Sequence, residues 1–193
     1  MVLISLRPFV PRRILVLAAA IIGLCAVSCF ANPLLFAVDN TPYDRQMARI
    51  RSILATSALR PEQNLSLELV NHWIEDLRGI PYGFSTEWKT PTEVARDAVA
   101  DCKGKAVTLY ERMREHGARN LRLVIGKRAP SSRVTHTWVE WSTESRTYVL
   151  DPAINWSASP LTQIPTSFYI SYYAFSGTRK YCAAASPGLL AKL

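Results

Sequence analysis

An amphipathic helix followed closely by three alternating segments occupies the centre of this chain. From Cys102 to about His116, the residues Cys102, Ala106, Leu109, Tyr110 and Met113 fall at i, i+4, i+7, i+8 and i+11, while Lys103, Lys105, Glu111, Arg112 and Arg114 take the other faces. That spacing predicts a helix with one buried stripe and Cys102 at its end. Asp101 suits the N-cap, and Gly117 suits the stop. Residues 120–127 then alternate Leu121, Leu123 and Ile125 with Arg122 and Val124, and two further strand-like runs cover 134–141 and 147–151. A helix and an antiparallel sheet in succession predict an α+β domain.

The last two runs are close enough in sequence to form a hairpin. Alternation puts His136, Trp138 and Glu140 on one face. Pairing residue 142 with 145 sets His136 opposite Asp151, whereas pairing 143 with 146 sets Trp138 opposite Asp151 and makes His136 its diagonal neighbour, roughly 7 Å away at the backbone. Either register brings His136 and Asp151 to one site, and a slip of one residue separates them. The turn, Thr143 to Arg146, has no Asn-Gly pair to choose between registers.

A cysteine in the first turn of a helix meets free backbone N–H groups and the positive end of the helix dipole, both of which favour thiolate. The helix end contributes roughly 0.3–1 kcal/mol at a surface and up to about 2 when partly buried. Pairing with histidine can lower a cysteine pKa to roughly 3–4, a larger effect. Histidine therefore does most of the activation. Cys102, His136 and Asp151 have the residue types and order of a thiol acyl-transfer site, with the Cys102 N–H as one oxyanion donor.

Three blocks carry a resemblance: Asp101-Cys102-Lys103-Gly104-Lys105-Ala106, His136-Thr137-Trp138-Val139-Glu140 and Tyr148-Val149-Leu150-Asp151-Pro152. In order and spacing they resemble the transglutaminase-like superfamily, including bacterial transglutaminase-like cysteine proteinases, over about residues 80–155. The resemblance implies a papain-like, transglutaminase-core fold, a nucleophile helix packed on an antiparallel sheet. It also implies Cys102 as nucleophile, His136 as base and later acid, and Asp151 as the group orienting the imidazole. Tyr82, Trp88 and Trp138 are the expected substrate-side residues, with Trp88 also the candidate for a second oxyanion donor. Adhesin-cleaving members carry acids just after the cysteine and use calcium, whereas Lys103 and Lys105 stand there in this chain. No metal and no cofactor is expected.

The chain has 193 residues, enough for one domain after an N-terminal export segment. Arg12 and Arg13 precede an apolar run from Ile14 to Cys29, the pattern of a secretory signal. Cleavage after Ala31, lipidation at Cys29 in the loose box Ala26-Val27-Ser28-Cys29, or an uncleaved anchor all place residues 32–193 outside the cytoplasmic membrane. The last two attach it to a membrane through the N-terminus. Export leaves Cys102 and Cys182 in the mature part, where a disulfide between them competes with a free nucleophile. Net charge is +8, and +5 without Arg7, Arg12 and Arg13. These charges are scattered among acids, so a nucleic-acid partner is not expected.

Elsewhere the pattern predicts helices over 43–59 and 66–78, a loop over 80–89 and a helix start at Thr90-Pro91. A loop is predicted over 153–165, then a strand or core-packed helix over 168–175 and an aperiodic tail from Ser176. No Gly-x-Ser-x-Gly, phosphate loop or dinucleotide fingerprint occurs. The expectation is a periplasmic or envelope-attached cysteine peptidase or amidase acting on a protein or peptide. The alternatives are a glutamine transferase with the same site, an NlpC-like cell-wall endopeptidase, a mononuclear metal site using Cys102, His136 and Asp151, and a catalytically silent binding module.

Overall fold

The computed structural model describes residues 34–56, 65–184 and 186. The expected export segment, with Cys25 and Cys29, lies outside them. No helix among the described residues is long and apolar enough to cross a membrane.

Chain order begins with β1 (Leu35–Ala37), a 3-10 turn (Gln46–Ile50), α1 (Arg51–Ala55), α2 (Leu67–Gly79), α3 (Pro91–Asp97) and α4 (Cys102–Glu115). It continues with β2 (Leu121–Lys127), β3 (His136–Ser142), β4 (Thr147–Leu150), the short β5 (Ser159–Pro160), β6 (Ile170–Ser176) and β7 (Arg179–Ala183). The strands form one antiparallel sheet in the order β1-β7-β6-β2-β3-β4-β5. The α+β class expected from the sequence is the class observed.

Caps define the helices as the sequence suggested. Ser66 accepts from the Leu69 N–H at 3.1 Å to start α2, and Thr90 and Glu93 form a capping box ahead of Pro91. Asp101 accepts from the Gly104 N–H at 3.1 Å to start α4. At the other end of α4, Gly117 takes φ 86°, and the Ala118 N–H reaches the Met113 carbonyl at 2.9 Å while the Gly117 N–H reaches Arg114 at 3.1 Å. Those two bonds are a Schellman stop, which needs the left-handed conformation that glycine adopts without steric cost.

Ala106, Leu109, Tyr110 and Met113 of α4 pack with Leu121, Leu123, Ile125, Val139, Trp141, Leu150, Tyr173 and Phe175 from the sheet and with Val70, Ile74 and Leu77 from α2. This is the main core. A smaller one joins Val124, Trp138, Val149, Tyr169 and Ala174. β3 therefore sends Val139 and Trp141 to one core and Trp138 to the other, as a strand buried on both faces must.

Three expectations need correction. The helix expected over 43–59 is a 3-10 turn followed by a single α-turn ending at Ala55. The 153–165 loop contains β5 and a 3-10 turn, because β4 would otherwise leave an edge unpaired near the site. The tail from Ser176 is ordered into β7. Gly177, at φ 61°, turns the chain in two residues so that Ser176 pairs Arg179, and β7 then accepts β1 on its other side. Cys182 lies in β7, buried in the main core, and both Cys102 and Cys182 are free thiols, so no disulfide silences Cys102.

Candidate active site

The β3–β4 register decides whether a site exists. Ser142 pairs Thr147 and Val139 pairs Leu150, and the Thr143 N–H meets the Arg146 carbonyl at 2.9 Å. This is the second of the two expected registers, the one that makes His136 and Asp151 diagonal neighbours at the same end of the hairpin. His136 Nε2 lies 2.7 Å from Asp151 Oδ2.

Asp151 is fully buried and takes two further donors. Oδ1 accepts from the Ala153 N–H at 3.1 Å, and Oδ2 also accepts from the Tyr169 hydroxyl at 3.0 Å. Asn155 Nδ2 donates in turn to that hydroxyl at 3.1 Å. Tyr169 is held with φ 52°, a left-handed conformation costing a non-glycine residue about 1–2 kcal/mol. Its N–H is fixed to the Arg128 carbonyl at 2.9 Å. Burial, then the nearby Asp151 carboxylate, push the Tyr169 phenol well above its ordinary value, so it stays a donor to Asp151. Sequence reasoning missed Tyr169. It sits inside an aromatic run where nothing distinguishes it from its neighbours, and only the backbone conformation aims it at Asp151.

Cys102 is buried at the first position of α4, within hydrogen-bonding reach of His136. Nε2 is committed to Asp151, which leaves Nδ1 as the ring nitrogen open to the thiol. Burial opposes the imidazolium form, but the hydrogen bonds to Asp151 and Cys102, together with the charges of both, outweigh it and raise the His136 pKa from 6.5 to about 9. The ring also stacks on Trp138, with centroids 6.3 Å apart.

The three expected substrate-side residues separate. Trp88 is 1% exposed and packed in the main core, and Trp138 is fully buried with its indole N–H donating to Glu140 at 3.4 Å. Neither presents a wall to solvent. Tyr82 does, at 61% exposure. It stands beside Cys102 and Asp101, and burial of its hydroxyl and these two groups raise its pKa.

Asp101 does more than cap the helix. Besides Gly104, its carboxylate accepts from the Ser85 N–H at 3.2 Å and pairs with the Lys103 ammonium, which also donates to the Ser85 carbonyl at 2.8 Å and lies 5.2 Å from the Phe84 ring centroid. The loop carrying Tyr82 and Phe84 is thereby fastened to the start of α4. Lys105, one turn into that helix and 1% exposed, donates to the Ile80 carbonyl at 2.6 Å, tying down the same loop's beginning. Burial, followed by the Arg78 charge, lowers the Lys105 pKa, and Asp151 partly offsets this.

No protein-family model matches this sequence, and comparison with curated proteins finds no match. Solved structures do show similarity. Legionella pneumophila LapG in its calcium-bound form matches with a TM-score of 0.54 and 13% identity, covering 79% of this chain and 90% of that one. The EGTA-treated form of LapG matches with a TM-score of 0.55 and 14% identity, covering 76% and 80%. At such identity the likeness establishes architecture: the chain has the papain-like, transglutaminase-core α+β fold.

Proposed function

We propose that this protein is an exported cysteine peptidase or amidase in which Cys102 is the nucleophile, His136 the general base and acid, and Asp151 the orienting carboxylate. The observation carrying the reading is the 2.7 Å contact between His136 Nε2 and the buried Asp151, with Cys102 in reach of the same imidazole. The shared fold supports it, since LapG is a transglutaminase-like cysteine protease.

The chemistry follows from the geometry. An imidazolium held by Asp151 through neutral pH stabilises a Cys102 thiolate across Nδ1. The thiolate attacks an amide carbonyl, and the oxyanion receives the Cys102 N–H, which no helix carbonyl occupies. Nδ1 gives its proton to the leaving amine, breaking the C–N bond and leaving a thioester. His136 then takes a proton from water, the hydroxide attacks the thioester, and acid and thiolate separate as the imidazolium is restored. An amine in place of that water makes the same site a transferase.

LapG has been solved with calcium bound. The residues here do not suit a divalent cation beside the nucleophile. The carboxylate at the start of α4 already holds the Lys103 ammonium, and among the described residues no group of His, Cys, Asp or Glu side chains is arranged to hold a metal ion. We expect EGTA to leave turnover unchanged.

The test is the pH dependence of iodoacetamide labelling at Cys102, read from the Cys102 peptide by mass spectrometry, alongside hydrolysis of a peptide library. Labelling that persists below pH 7 and loses that acidic limb in His136→Ala supports the pair. Labelling only near the free-thiol value of about 8.5 in both proteins, with no hydrolysis, sinks it and favours a binding module.

A further inference from the structure

Several large apolar side chains remain exposed near the site: Tyr82, Phe84, Val134, Trp156 and Phe168. Two of them carry an arginine. The Arg78 guanidinium carbon lies 5.0 Å from the Trp156 ring centroid, and that of Arg128 lies 5.9 Å from Phe168. Most other arginines with described partners meet a carboxylate: Arg49 meets Glu87 and Glu93, Arg96 meets Asp97, and Arg122 meets Glu140. Among the described residues Arg78 and Arg128 meet none, and the Nε of each is buried without a hydrogen-bond partner. A guanidinium desolvated on an aromatic face and left short of acceptors is costly unless a ligand completes it.

Both arginines belong to the surroundings of the triad. Arg128 reaches the Tyr169 hydroxyl, which donates to Asp151, and Phe168 immediately precedes Tyr169. Trp156 immediately follows Asn155, which donates to that same hydroxyl. On the helix side, the Arg78 carbonyl accepts from Lys105 at 3.4 Å, and Lys105 senses the charges of both Arg78 and Asp151. Both aromatic rings are thus carried by residues next in sequence to members of the Asp151–Tyr169–Asn155 hydrogen-bond chain.

We propose that these two pairs are substrate subsites, each binding a carboxylate side chain, and that the substrate is an acidic, extended protein segment. The chemistry selects that class: the planar guanidinium fork matches a carboxylate, and the ring beneath holds the fork while covering the apolar part of an Asp or Glu side chain. The choice of a peptide rests on the peptidase reading above. The presence, among the described residues, of two aromatic-stacked guanidinium groups with no carboxylate partner does not.

The test uses the full chain. Peptides cleaved by the protein are remade with every Glu and Asp replaced by Gln and Asn. The wild type should cleave the acidic form with kcat/KM higher by about ten-fold for each charge-assisted contact, a preference that shrinks with salt. The Arg78→Gln/Arg128→Gln double variant should lose it. Arg→Lys variants should keep part of it, having the charge without the fork. Equal cleavage of both forms by the wild type overturns the proposal.

A second measurement is independent of turnover: the ratio of Cys102 labelling rates with iodoacetate, an anion, and with neutral iodoacetamide. The ratio should fall several-fold in the double variant. An unchanged ratio with the fold intact by circular dichroism overturns the proposal even if peptides are cleaved. A falling ratio in a protein that cleaves nothing supports the anion sites and discards the peptidase reading instead.

Discussion

Replacing Asp151 by Asn tests the centre of the site with a near-isosteric change. The rise of the His136 pKa from 6.5 to about 9 corresponds to about 3 kcal/mol of preference for imidazolium over imidazole. Burial opposes that preference, so Asp151 and Cys102 together supply more than the net value, with the hydrogen bond to Asp151 the larger favourable contribution. In Asp151→Asn the amide Oδ1 still accepts from Ala153. Its nitrogen, however, donates towards Nε2, which holds that atom unprotonated and puts the single ring proton on Nδ1, facing Cys102. The base is then lost in its working tautomer, and turnover should drop about 10⁴-fold, as in the corresponding serine triad change.

The same substitution should change how stability depends on pH. Because the folded pKa lies above the unfolded one, the His136 contribution is complete below about pH 6.5 and disappears as pH rises through about 9. Urea unfolding followed by tryptophan fluorescence at pH 6, 7.5 and 9 should therefore show the wild type losing up to about 3 kcal/mol more than Asp151→Asn across that range. The comparison between the proteins isolates the pair, since Glu140, also raised by burial, titrates in both. Equal slopes, or full turnover in Asp151→Asn, would refute the assignment of Asp151 as the group that holds His136.

Tyr169→Phe removes one of two donors from Asp151 Oδ2 and should destabilise by about 1.5–3 kcal/mol. It should also shift the basic limb of the pH–rate profile upward, because the carboxylate charge is shared with one donor fewer; an unmoved limb would make Tyr169 merely structural. Gly126→Ala would set a Cβ 2.0 Å from the Ile170 carbonyl and 2.8 Å from Trp138 at the bulge between β2 and β6. It should cost about 3 kcal/mol or prevent folding, and wild-type urea unfolding would contradict so close an approach of those strands. Lys103→Met leaves the buried Asp101 without its ammonium and should cost about 3 kcal/mol while exposing the 82–89 loop to limited proteolysis. Lys103→Arg should restore both, and stabilisation of the wild type by calcium would contradict a lysine-filled carboxylate.

What was legible in the sequence is what local chemistry writes there. Asp101 and Gly117 bracket α4 because one supplies a side-chain acceptor to a free N–H and the other a left-handed residue. Residues 134–141 and 147–151 pointed to two hairpin registers that join His136 and Asp151, and the structure takes the one that pairs Ser142 with Thr147. β1 was not legible, because Leu35, Phe36 and Ala37 pair with β7 near the other end of the chain and no local pattern records a distant partner. The turn signal Ser176-Gly177-Thr178 was present and could have revealed β7. Tyr82, Trp88 and Trp138 show the same limit at the site: an aromatic in a loop or strand is compatible with wall or core, and only burial tells them apart.

Every group proposed to do chemistry sits where a regular element begins or has just ended. Cys102 opens α4, His136 opens β3, Asp151 follows β4 and Tyr169 precedes β6. At these points a side chain is released from the element's repeat and is aimed by partners of its own. The interiors ask only for apolar residues of suitable size, a demand many sequences meet, so a likeness to LapG at 13% identity is compatible with one architecture. The boundary groups have no such latitude, because each is defined by a partner: Asp101 by Lys103 and Ser85, Asp151 by His136, Tyr169 and Ala153. Substitutions that preserve size in the core should therefore alter stability with little effect on the pH profile. Substitutions at the four boundaries should move the profile even where stability is kept.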